Sequence, residues 1–188
     1  ELIVADHVDL LWAVDVIHTD IALRTIDDAL TVIEREAAIE LRDMVREKSR
    51  MLVGLKLSSD GRRLKERVDE ADRFCGVKSG VAVEIHFNSG DSGTGTECVV
   101  SDRASGASRK VARKLVDAVS DVLGLKNRGV KNVSDTGHTR LAFVDDTLCP
   151  AVILEVCFAT NEGDCRVYEE KKGDLAFALA KFFDSVEF

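Results

Sequence analysis

Glu155 stands inside the apolar run AVILEVCF (residues 151–158). An ionised carboxylate there loses hydration that only a cation, a metal or a proton can offset. Burial raises the pKa of such a carboxyl, which suits a general acid or base; the plainer alternative is a strand-end Glu that reaches solvent or caps a neighbouring helix. A second stretch, VAVEIHFNSG (Val81 to Gly90), alternates Val81, Val83, Ile85 and Phe87 with Ala82, Glu84, His86 and Asn88. Read as a strand, it has one apolar face and one face carrying Glu84, His86 and Asn88. That polar face is either simply wet or carries chemistry. His18 follows the apolar run LLWAVDVI, and Glu34 falls in a helical pattern. With His86 they occupy three separate elements, so no local spacing such as HExxH declares a metal site. What can bring two His and a Glu together is the carboxyl edge of an α/β sheet.

The elements that would position these residues follow from periodicity. Leu10 to Ile17 reads as a buried strand, and Asp27 to Arg50 as a helix with Leu30, Ile33, Ala37, Leu41, Met44 and Val45 at spacings of three and four. Met51 to Leu57 is a further candidate strand, closed by the turn Ser58-Ser59-Asp60-Gly61. Leu64 to Phe74 reads as a charged amphipathic helix, Thr96 to Val100 as a strand and Val111 to Leu123 as a helix. Gly124 to Gly137 reads as an irregular basic loop containing Lys126, Arg128 and Lys131, and Leu141 to Val144 as a short apolar piece. Ala151 to Phe158 has the continuous apolar run of a strand buried on both faces, and Leu175 to Phe183 reads as a closing helix. Strands alternating with helices predict an α/β fold: a mostly parallel or mixed twisted sheet with helices on both faces.

The composition, 188 residues with 45% hydrophobic and 32% charged, fits one domain spanning 1–188 with a sizeable core. A formal charge of -8 and a pI near 5.1 argue against nucleic acid as a partner, because phosphate neutralisation needs a basic face. No apolar run reaches about 18 residues, so membrane insertion is not expected. The stretch Val8 to Val16, broken by Asp9 and Asp15 and without a basic leader, reads as neither a membrane span nor a signal peptide. The five cysteines, Cys75, Cys98, Cys149, Cys157 and Cys165, form no CxxC pair. Cys98 and Cys157 sit in apolar runs as core residues do, which fits a reducing cytoplasm and gives no zinc-finger signature.

Five segments in order, LKERVDEAD (64–72), EIHFN (84–88), GTGTECVV (93–100), GLKNRGVK (124–131) and LAFVDDTLCPAVILEVCFATNEGD (141–164), resemble the zinc-dependent N-acetylmuramoyl-L-alanine amidases of the amidase-3 family. The NRG and LEVCF pieces are most similar to its bacteriophage endolysin branch. The resemblance implies an enzyme that hydrolyses the amide between N-acetylmuramic acid and L-alanine in bacterial peptidoglycan. It further implies a catalytic Zn2+ held by His, Glu and His, with a second Glu beside it. His86 matches the last ligand and Glu155 the catalytic Glu; Glu34 matches the middle ligand, with Glu36 as the alternative. His18 matches the first ligand: Asp15-Val16-Ile17-His18 keeps the Asp-to-His spacing of the family's Asp-x-Gly-His-Gly without its glycines, and His18-Thr19-Asp20 resembles the His-Ser-Asp of some endolysins. His7 is the other possibility.

Those missing glycines leave open a zinc-deficient, non-catalytic peptidoglycan-binding module, or a zinc hydrolase acting on another amide. The endolysin likeness implies a protein made in the host cytoplasm that acts on the wall after release, with a secreted autolysin as the alternative. Around the implied site, Glu84 is read as a partner of the His86 ring or part of a substrate groove, and Asn88 as fixing the loop after its strand. His138 is read as a loop residue, with a contact to substrate as the alternative, and Arg128 and Lys131 as an exposed basic loop, with contact to the carboxylates of a stem peptide as the alternative.

Overall fold

The alternation in residues 81–88 is realised as a strand whose apolar members are all buried. In the computed structural model the described residues are 12–15, 26–49, 68–69, 71–73, 80–90 and 92–185. They form β1 (Trp12–Asp15), α1 (Ile26–Lys48), β2 (Val81–Asn88), β3 (Thr96–Val100), α2 (Gly106–Leu123), β4 (Asn127–Asn132), a 3-10 turn (Val133–Thr136), α3 (Ala142–Asp146), β5 (Ala151–Phe158) and α4 (Glu162–Ser185). Residues 68–69 and 71–73 are helical, within the helix expected over 64–74. The strand expected over 51–57 lies outside the described residues.

The five strands form one mixed sheet in the order β1-β2-β5-β3-β4. β1, β2 and β5 run parallel, β3 runs antiparallel to β5, and β4 runs parallel to β3. The expected α/β architecture is therefore present in its mixed form. On one face Val81, Val83, Ile85 and Phe87 join Val152, Leu154, Val156, Cys98 and Val100 under α1, α2 and α4. The stripe Val111, Leu115 and Val119 of α2 is buried there, each side chain contributing about 1.5–3 kcal/mol. Ser105 starts α2 by accepting a hydrogen bond from the Ser108 N–H at 3.0 Å. The helices also tie to one another: Tyr168 Oη donates to the Ala37 carbonyl at 3.1 Å while its ring meets Phe87 edge-on, with centroids 4.9 Å apart.

The opposite face carries a smaller cluster of Ala71, Ala82, Val99, Val133, Phe143, Val144, Cys149, Ala151 and Ile153. It covers only the end of the sheet nearest the start of β5. Toward the C-terminal ends of β2 and β5 the same face turns polar.

Two expectations are corrected. Residues 127–132 form an edge strand rather than an irregular loop, with Gly129 at φ 77 inside a bulge opposite β3. Half-exposed polar residues and one bulge leave no period of two to read. The closing helix also begins at Glu162, thirteen residues before Leu175. Its charged first half is anchored by Asn161, whose Oδ1 accepts from the Asp164 N–H at 3.1 Å.

Candidate active site

Parallel pairing of β2 and β5 places His86 opposite Glu155, and antiparallel pairing of β3 with β5 places Glu97 opposite Glu155. One row across the sheet therefore reads His86, Glu155, Glu97. Because side chains alternate along strands, all three project on the polar half of the second face. Thr96 Oγ1 donates to the Glu155 carbonyl at 2.9 Å and pins the row from the main-chain side. One step back, Glu84 is fully buried, and its Oε2 comes within 3.5 Å of His86 Nε2. Asp15, the last residue of β1, pairs with Glu84 in the ladder.

His86, Glu155 and Glu97 line a cavity of about 530 Å³ that also takes in Asn88, Arg128, Asp135, His138 and Phe158. Glu155 is half-buried, with Oε2 removed from solvent and without a hydrogen-bond partner among the described residues. Burial pushes its carboxyl above the ordinary carboxylate range; the His86 imidazole pulls it back, and the Glu97 and Glu84 carboxylates push it further up. A raised carboxyl in a cleft beside an imidazole is equipped to take and return a proton.

The wall of the cavity is assembled around Glu97 and Phe158. Glu97, 5% exposed, accepts from Asn88 Nδ2 at 2.9 Å through one oxygen and from Arg128 Nε at 2.7 Å through the other. The Arg128 guanidinium lies over the Phe158 ring, 4.9 Å from its centroid. Phe158 packs so closely on Gly93 that a Cβ there would fall 1.8 Å from the ring. Buried Asp164 accepts from Thr94 Oγ1 at 2.6 Å, Gly95 N at 2.9 Å and Phe158 N at 3.0 Å, joining the 92–95 loop to the end of β5.

Of the residues singled out in the sequence, His86 and Glu155 are brought together, with Glu84 beside His86. Asn88 does hold the next turn, accepting from Ser89 N at 2.8 Å, and in addition supports Glu97. Glu34 lies within α1, though its side chain is outside the described residues; Glu36 is exposed. His18 and His7 also lie outside the described residues. His138 is exposed, as expected, yet lines the cavity. Arg128 is not a solvated loop residue but a strand residue in an ion pair. Glu97 and Asp164 had no signal beyond being acidic residues among apolar or turn-forming neighbours.

Among the described residues no group of three or more His, Cys, Asp or Glu side chains is arranged to hold a metal ion. The imidazole of His86 and the open carboxylate oxygen of Glu155 nevertheless have the donor chemistry of a zinc site. No helix among the described residues is long and apolar enough to cross a membrane.

The chain is 35% identical over 125 residues to an uncharacterised 38.4 kDa protein of Clostridium perfringens, a match covering 63% of this chain and 33% of that protein. It therefore spans about one third of that relative's length. Among solved structures, an N-acetylmuramoyl-L-alanine amidase from Clostridium difficile 630 superposes with a TM-score of 0.68 at 17% identity, over 93% of this chain and 95% of the other. The catalytic domain of the CD27L endolysin, which targets Clostridium difficile, does so with a TM-score of 0.66 at 17% identity, over 94% and 98%. At such identities the likeness is one of fold. Sequence goes further: the family model described as N-acetylmuramoyl-L-alanine amidase matches residues 31–182, from within α1 through both His86 and Glu155 into the last turns of α4, and the chain belongs to that family.

Proposed function

We propose that this chain is a zinc-dependent peptidoglycan amidase that cleaves the bond between the lactyl group of N-acetylmuramic acid and L-alanine. The observation that carries the reading is the apposition of His86 and Glu155 on neighbouring strands, facing a cavity, in a member of the amidase family. His86 and Glu34, with His18 as the third donor, would hold the metal, in the open arrangement of three protein ligands used by catalytic zinc. When bound, zinc supplies Lewis-acid polarisation of the scissile carbonyl and acidifies the attacking water. Glu155 would accept a proton from the attacking water at its half-buried carboxylate and return it to the departing alanine nitrogen, a C–O bond forming as the C–N bond breaks. The endolysin-like setting, synthesis in a host cytoplasm followed by action on the wall, belongs to the same proposal.

Digestion of purified cell walls tests it. The expected products carry new N-terminal alanine on intact glycan strands; other new termini would assign the protein to a different amide. Metal analysis separates the enzyme from a binding module. Stoichiometric zinc that disappears in His86→Ala fits the enzyme, and wall binding without zinc or lysis fits the module.

A further inference from the structure

Among the described residues lining the cavity, Arg128 is the only guanidinium or ammonium group. Its setting is constructed rather than incidental. Nε is spent on Glu97, which Asn88 holds from the other side, and the guanidinium rests on a Phe158 ring backed by Gly93 and fixed through Asp164. The plane of the group is thus set by two contacts, while the side chain stays 30% exposed. Neither Nη nitrogen donates to a described residue. What remains on offer is the Nη edge, whose two N–H bonds match the spacing of a carboxylate.

The rest of the cavity narrows the choice of ligand. Glu155, Glu97 and Asp135 line it too, so a multiply charged anion meets repulsion that a single planar carboxylate largely escapes. β4, which carries Arg128, is two strands from β5 and Glu155, about 10 Å at the usual strand spacing. An extended peptide covers that span in roughly two to three residues. On the sugar side of the scissile amide the muramoyl carboxyl is already consumed in the bond, so an anion at this reach can only come from the peptide.

We propose that Arg128 recognises a carboxylate on the peptide side of the scissile amide, so that the cavity selects an acidic stem peptide over its amidated form. This deepens the amidase reading and rests on it. The test uses N-acetylmuramoyl-L-alanyl-D-glutamate and its α-carboxamide as paired ligands. The zinc-loaded protein is assayed on both, and the metal-free protein is titrated with both by calorimetry. Wild type should favour the free carboxylate by roughly tenfold to a hundredfold in KM and in Kd, as a charge-assisted pair implies. Arg128→Gln should erase the preference, and Arg128→Lys should keep part of it. Equal handling of the two ligands by wild type, or a preference that survives Arg128→Gln, overturns the assignment. So does a fall in kcat shared equally by both substrates. Should Arg128→Gln fail to fold, the Lys variant and the wild-type preference decide. If wild type cleaves neither compound, it is the amidase reading that fails, and the two binding isotherms still settle the carboxylate.

Discussion

The two faces of the sheet are built from the same strands and solve opposite problems. The face under α1, α2 and α4 is apolar from Val81 to Phe87 and from Val152 to Val156, and three helices seal it. The other face is apolar only where Ala82, Ala151, Ile153 and Val99 meet Phe143 and Val144; beyond that, Glu84, His86, Glu97 and Glu155 crowd together. Like charges and lost hydration make that second half costly to fold. The sealed face offsets the cost, so the molecule concentrates stability on one side of β2 and β5 and chemistry on the other.

The sharpest way to break this division is Glu155→Gln. The amide is nearly isosteric but cannot carry the proton, so wall lysis should fall by roughly 10²–10⁴-fold with the fold retained. Turbidity loss of cell walls and a circular dichroism spectrum measure the two halves of that statement. Full activity in the Gln variant would move the chemistry elsewhere. On the sealed face, Leu154→Ala should cost about 2–5 kcal/mol in urea unfolding, because a fully buried side chain leaves a cavity among close-packed neighbours. At temperatures where the variant stays folded, its kcat should be near that of wild type. A kcat loss on the scale of Glu155→Gln would mean that the faces are not separable.

How far this division could be read beforehand depends on the length and regularity of each element. β2 and β5 are eight residues each, β2 alternating and β5 apolar throughout except for Glu155, so both strands, the faces of β2 and the anomaly of Glu155 were legible in the sequence. Single apolar stripes likewise marked α1 and α2. β4 was not legible: Asn127, Arg128, Lys131 and Asn132 are polar, Gly129 breaks the register, and an edge strand packs too little to need a pattern. The pairing of Arg128 with Glu97 was lost with it, since a residue assigned to a loop has no neighbour across a ladder, although contact with a stem-peptide carboxylate was an open reading of Arg128. Asp164 was hidden for another reason. Its partners, Thr94, Gly95 and Phe158, lie far away or across a turn, and no local spacing encodes three such donors converging on one carboxylate.

Asp164 also sharpens the comparison, because it belongs to neither face and joins the ends of both. Asp164→Ala leaves the buried N–H groups of Gly95 and Phe158 without their acceptor, which should cost about 1–3 kcal/mol. It should also release the Phe158 ring from beneath Arg128, so KM for wall fragments should rise alongside the lower urea midpoint. A stability loss with KM unchanged would make Asp164 a pure fold residue.

The smallest expected effect concerns the energetic cost of the polar half itself, and it appears only in metal-free protein kept in chelator. Burial and the Glu97 and Glu84 carboxylates hold the folded Glu155 carboxyl above its ordinary value near 4.5. A carboxyl raised on folding contributes its stability fully below the unfolded pKa and loses it as pH rises through the higher folded value. Glu155's contribution to the wild-type curve should therefore slope downward from pH about 4.5, and Glu155→Gln removes that contribution because its amide does not titrate there. The Tm of the Gln variant should then exceed that of wild type by a margin that widens with pH, at about 2–4 °C for each kcal/mol in a chain of this size. An inactive variant that is more stable would mean the carboxylate is kept for its chemistry at the expense of the fold. A margin that stays flat or narrows with pH would mean instead that the polar half is already neutralised by its own contacts, and that the two faces differ in composition but not in cost.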